Sequence, residues 1–123
     1  MGGVAWDEKG ILNFGGNGLT FRYTNSKDTL GATGVFATTI DAIAEARDIK
    51  RVDFIKMDIE GSERYALQGA ANVLKQYSPR LAVASYHHHT DPPVLSNIII
   101  KANTSYRKYT SPYPYYHKFI YFY

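Results

Sequence analysis

The chain has no cysteine among its 123 residues. Disulfides and thiolate metal sites are therefore excluded, and a reducing compartment fits the composition. Long apolar runs are missing too: the longest aliphatic stretch, NIII at 97–100, falls far short of the roughly 20 residues that span a bilayer. The first ten residues, MGGVAWDEKG, lack a basic segment followed by an apolar one, so they do not read as a secretory signal. A cytoplasmic protein without a membrane span is expected. Charge of one sign is also scarce. Fourteen Lys and Arg against eleven Asp and Glu leave a net +3, which by itself gives no argument for nucleic acid. What is present in quantity is apolar: 45% of the chain, enough for the core of one domain or part of one.

No internal repeat is visible. VAWDEKGILNF (4–14) reads as a hairpin around Asp7, Glu8, Lys9 and Gly10. GGNG (15–18) reads as a turn, LTFRY (19–23) as a further strand and TNSKDTLGATG (24–34) as a loop. From residue 35 the pattern changes. VFATTI (35–40) is β-branched and strand-like, and Asp41 can cap a short helix, AIAEAR. VDFIKMDI (52–59) is the next strand. A helix is predicted from about Glu63 to Gln76, with Leu67, Ala70, Ala71 and Leu74 on one apolar face. Gly69 inside it costs roughly 1 kcal/mol against alanine, so close packing should require it. LAVASY (81–86) reads as a strand covered on both faces. Asp91 and Pro92 start another helix, whose buried stripe is Val94, Leu95, Ile98, Ile99 and Ala102. RKYTS and HKFIYFY flank SPYPYY as a final hairpin. This alternation predicts an α/β fold with a mostly parallel sheet and a C-terminal antiparallel hairpin.

The stretch FIKMDIEGSE (54–63) places three acids at the end of an apolar strand. Alternation puts Lys56, Asp58 and Glu60 on one face and Ile55, Met57 and Ile59 on the other. In open α/β sheets, ligands bind outside the carboxyl ends of strands, so this charge lies where a site is expected. Plainer roles compete. Ser62 and Glu63 suit a helix N-terminus, and Lys56 with Asp58 can be a structural ion pair. The following strand ends in His87, His88 and His89. If the two strands are parallel neighbours, His87 and Asp58 reach the same rim, and an imidazole there can take a proton near neutral pH. His88 and His89 read as solvated loop. Asp58, His87 and Asp91 could hold a divalent ion, but no metal ligand is assigned.

The segments FIKMDIEGSERYALQGA, SPRLAVASYHHHTD and SYRKYTS resemble the FkbM-type methyltransferases, a branch of the Rossmann-like enzymes that use S-adenosylmethionine. Lys56, Asp58, Glu60, Gly61, Glu63, Leu67, Gly69 and Ala70 fit the first block, Ile40 and Asp41 the pair before it, and Pro79, Leu81, Tyr86 and His87 the block after it. The likeness covers about residues 35–123 and extends to the hairpins before them. It implies methyl transfer from S-adenosylmethionine, with a hydroxyl of a sugar, lipid or secondary metabolite as the acceptor. In such enzymes a glycine-rich loop and a ribose-binding acid precede this region. GGNG is followed by no helix and cannot stand in for that loop. The chain therefore reads as the C-terminal part of a methyltransferase domain, with residues 1–34 a β-hairpin region, residues 35–123 the α/β core, and the N-terminal cofactor-binding strands missing. Asp58 or His87 is the expected base, Glu60 a positioning group and Lys56 a modulator of Asp58. Cofactor contacts fall to Asp41 and Asp58, and the chain alone should bind S-adenosylmethionine weakly.

Two rival readings stand beside this one. The chain could be a non-catalytic remnant, or a subunit completed by self-association or a partner chain through an exposed sheet edge. The tyrosine-rich basic tail could also stack nucleic-acid bases, although aromatics are equally good strand formers.

Overall fold

A computed structural model of the chain describes residues 4–14, 21–23, 33–110 and 119–123. The elements are β1 (Val4–Ala5), β2 (Gly10–Phe14), β3 (Phe21–Tyr23), β4 (Thr33–Thr38), α1 (Ile40–Ala46), β5 (Phe54–Met57), α2 (Glu63–Gln68), α3 (Ala71–Tyr77), β6 (Arg80–Ala84), α4 (Asp91–Ala102), β7 (Lys108–Thr110) and β8 (Phe119–Phe122). The predicted turn at 15–18 and most of the loop at 24–34 lie outside the described residues, as does the stretch 111–118.

The described strands form two four-stranded sheets rather than one, in the orders β1-β4-β2-β3 and β5-β6-β8-β7. This corrects two expectations. β1 and β2 do not pair as a hairpin, because β4 lies between them, parallel to β1 and antiparallel to β2. The sheets are also not mostly parallel: β1·β4 and β5·β6 are parallel, and the other four pairings are antiparallel. Local turn chemistry around Asp7–Gly10 is satisfied either way. The choice of partner belongs to a strand more than twenty residues downstream, which no local pattern announces.

The second sheet carries the predicted adjacency. β5 and β6 run parallel with Ile55 opposite Leu81 and Met57 opposite Val83. The C-terminal hairpin is present, with β8 inserted between β6 and β7. The core lies between this sheet and the helices, and includes Met57, Leu67, Leu74, Leu81, Val83, Leu95, Ile99, Ile120 and Phe122. Burying side chains of this kind stabilises by about 1.5–3 kcal/mol each. Tyr106 closes one end of the core, its hydroxyl donating to the Pro79 carbonyl at 2.7 Å and its ring meeting Phe122 edge-on.

The single helix predicted over 63–76 is two helices, broken at Gly69 and Ala70. The cause is a close approach. A Cβ on Gly69 would stand 2.0 Å from the carbonyl oxygen of Trp6, while the Gly69 carbonyl accepts from the Asp41 N–H at 2.9 Å. Trp6 itself stacks on Tyr65 with ring centroids 4.2 Å apart. The break rotates Ala71 to the surface, while Leu67, Ala70 and Leu74 stay buried. The expected cap also differs. Thr39, not Asp41, caps α1, its Oγ1 accepting from Ala42 N at 2.9 Å. Asp41 reaches across to α3, where its two carboxylate oxygens accept from Asn72 N and Val73 N, each at 2.9 Å. It thereby satisfies N–H groups that helix α3 cannot pair internally.

Candidate active site at the ends of β5 and β6

β5 ends at Met57, and β6 at Ala84. Parallel pairing places their carboxyl ends side by side, so Asp58 and the Ser85-Tyr86-His87 segment leave the sheet at one rim. The chain then turns sharply. Glu60 has φ 56° and Gly61 φ 93°, two successive residues in the left-handed region. Glycine enters it freely, whereas glutamate pays roughly 1–2 kcal/mol. That turn, rather than strand alternation, brings Glu60 back toward Asp58. A Cβ on Gly61 would lie 2.7 Å from His88 Nε2, so the exposed His88 covers the turn.

Three carboxylates surround the His87 ring. Nε2 lies 3.6 Å from Asp58 Oδ1 and 3.6 Å from Glu60 Oε2, and Nδ1 lies 3.3 Å from Glu63 Oε1. The imidazole is 10% exposed and Glu63 is 1% exposed, whereas Asp58 and Glu60 open to solvent. Glu63 Oε1 is held by the Ile59 N–H at 2.7 Å. Tyr86 Oη donates to Asp58 Oδ1 at 2.8 Å, and the Tyr86 ring packs on His87 with centroids 4.2 Å apart. The hydrogen bond to Asp58, reinforced by desolvation and by the charges of Asp58, Glu60 and Glu63, pushes the Tyr86 hydroxyl up to about 12.

Of the residues singled out from sequence, Asp58, Glu60 and His87 converge, and one ligand atom from each lies within 4.8 Å of the others. Lys56 does not join them. Its ammonium stands 5.6 Å from the centre of the Phe119 ring, and among the described residues it forms no ion pair with Asp58. Asp91 is also elsewhere, buried and paired with Arg64 and the His88 N–H. Asp41 lines a separate cleft of about 710 Å3 between α1 and α3 that includes none of the cluster. The cleft is lined by Lys9, Glu45, Asp48 and Lys50 as well as Asp41, but it lies away from the paired strand ends where the rim cluster converges, so the rim cluster is the better candidate. Glu63 was legible as a helix-terminus acid and as part of the first family block, but not as a partner of His87. Its position at the start of α2 was correct, but its burial against His87 depends on β6 and had no local signal.

Comparison with known proteins bears on this arrangement. Residues 10–110 match the methyltransferase FkbM domain. The whole chain superposes on the crystal structure of methyltransferase FkbM from Methylobacillus flagellatus KT with a TM-score of 0.70 and 28% identity. The chain covers 28% of the length of that protein. No curated protein matches. The domain match takes in every residue of the rim cluster and most of the chain, and the chain belongs to the FkbM methyltransferase family.

Proposed function

We propose that the rim cluster serves methyl transfer from S-adenosylmethionine to a hydroxyl oxygen, within a Rossmann-like arrangement that the parallel pair β5 and β6 contributes to. The observation that carries this reading is the convergence of Asp58, Glu60 and His87 where two parallel strands end. When bound, the cofactor supplies an electrophilic methyl group on a sulfonium centre. Asp58 is the described residue that fits it best, being a partly open carboxylate at the end of β5. Asp41 has both oxygens engaged by α3, and its work is structural on this reading.

A hydroxyl acceptor needs alignment with the methyl group and loss of its proton. The cluster has groups for both. Glu60, the most open of the three, orients the acceptor. The proton passes to Asp58 or to His87 Nε2. In the second case Glu63, behind Nδ1, stabilises the charged ring, as the buried carboxylate of a catalytic triad does. Backbone amide NMR tests the placement. Added S-adenosylmethionine or S-adenosylhomocysteine should shift resonances at 58–61 and 86–88, even at low affinity. Shifts confined to the α1–α3 cleft, or none, would overturn it.

A second reading has one observation in its favour. Among the described strands β5 has a free edge, and Phe54 on it is 58% exposed. Such an edge invites pairing, so the site could be completed by a partner chain or a second copy. Phe54→Lys should then lower the mass measured by light scattering. An unchanged monomeric mass in both proteins would count against it.

A further inference from the structure

We infer that Asp58, Glu60 and His87 form a binding site for a divalent metal ion, with Glu63 positioning the imidazole from behind. The separations are the first reason. At 3.6 Å, Nε2 is too far from either carboxylate oxygen for a hydrogen bond. Two ligands that share one cation at about 2.2 Å, between magnesium and calcium bond lengths, are separated by 3.6 Å when they subtend roughly 110°.

The second reason is independent of the carboxylates. The His87 side chain is nine-tenths buried, yet among the described residues neither ring nitrogen has a hydrogen-bond partner. Buried polar atoms are rarely left so, because an unmade bond costs about 1–3 kcal/mol. Nε2 points at the gap between Asp58 and Glu60, where a cation would complete it. Glu63 then acts as the outer carboxylate of a carboxylate–histidine–metal relay. It faces Nδ1 at 3.3 Å without a formed hydrogen bond, and a small shift of the ring toward it on metal binding would put the ring proton on Nδ1 and leave Nε2 bare to ligate.

The donor set defines the ion. Two carboxylates and one imidazole, with no thiolate available anywhere in the chain, suit a first-row cation that accepts oxygen and nitrogen together, such as Mn2+. Three protein ligands leave positions open, as catalytic sites do. If the methyl-transfer reading holds, an acceptor hydroxyl can take an open position and have its pKa lowered there. Nε2 is then a ligand, and the hydroxyl proton leaves to solvent instead of to His87. The metal site itself does not depend on that reading.

Calorimetric titration of the chain with MnCl2, without S-adenosylmethionine, tests the site separately from the activity. One ion should bind per chain, and electron spin-echo spectroscopy should show coupling to an imidazole nitrogen. Glu60→Gln and His87→Gln should each weaken binding at least tenfold, and the second should abolish the nitrogen coupling. Glu63→Gln should weaken it about 10–100-fold. Asp53→Asn, an exposed acid at the other end of β5, should change nothing. Circular dichroism identifies any variant that fails to fold; Glu60 is exposed, so its variant should stay folded and decide the matter alone. Tighter binding of Zn2+ with the same residue dependence would support the site. No binding by the folded chain, or equal binding by wild type and Glu60→Gln without nitrogen coupling, would overturn it.

Discussion

Tyr86 and Asp58 are joined across the parallel pair β5 and β6 by a 2.8 Å hydrogen bond from the phenol to the carboxylate. The same ring rests against His87. One exposed tyrosine therefore orients two members of the cluster, and it ties the ends of two strands that meet only through the sheet. Asp58 accepts without giving a proton, so the bond favours the neutral phenol.

Tyrosines give the protein an alkaline limit. Burial pushes the Tyr106 hydroxyl up to about 12, against about 10 in an unfolded chain. The folded state then holds this proton more tightly. The contribution is complete below pH 10 and is lost as pH rises toward 12. Tyr106→Phe should cost about 1 kcal/mol at pH 7, since the bond to Pro79 is lost. In urea melts the gap between wild type and variant should narrow between pH 10 and 12. A gap constant over that range would contradict this assignment.

Gly69→Ala should destabilise by about 1–3 kcal/mol, the usual cost of overpacking. The clash is with the backbone oxygen of Trp6, which cannot rotate away, and it outweighs alanine's helix propensity. Trp6 is the only tryptophan and is buried. Its fluorescence should shift to the red in the variant.

Glu60→Gly should behave in the opposite way. Removing a side chain from the left-handed region should raise stability by about 1 kcal/mol. Ligand binding at the rim should fall in the same protein. A higher melting temperature with weaker Mn2+ binding would show that strain is retained there for function. A lower melting temperature would show that Glu60 stabilises the turn.

Asp91→Ala removes the partner of Arg64 and the acceptor of the His88 N–H. Truncating a buried ion pair costs about 3–5 kcal/mol; because Arg64 remains partly exposed, about 2–3 kcal/mol is expected here. Denaturant melts of Asp91→Ala and Asp91→Asn should rank the alanine variant as the less stable.

Local chemistry was enough to place several elements. The apolar runs before Asp58 and before Tyr86 announced two strands, and the crossover between them their parallel pairing. Pro92 after Asp91 announced the start of α4, and the stripe containing Leu95 and Ile99 its buried face. The motif around Lys56–Ala70 carried the family. These signals depend on residues within one or two turns of each other, which is the range over which propensity, capping and periodicity act.

The remainder required the chain to be folded. β4 entered between β1 and β2 because strand pairing is settled by long-range competition. α2 parted from α3 because the Trp6 carbonyl, more than sixty residues away, came against Gly69. Asp41 capped a distant helix, and Lys56 settled over Phe119. Asp58 and His87 could be foreseen at one rim, since both end strands. The closeness of Glu63 to His87, and the burial of that imidazole, arise only when β5, α2 and β6 pack together. Burial and electrostatic environment are properties of the assembled neighbours, and no single segment of sequence contains them.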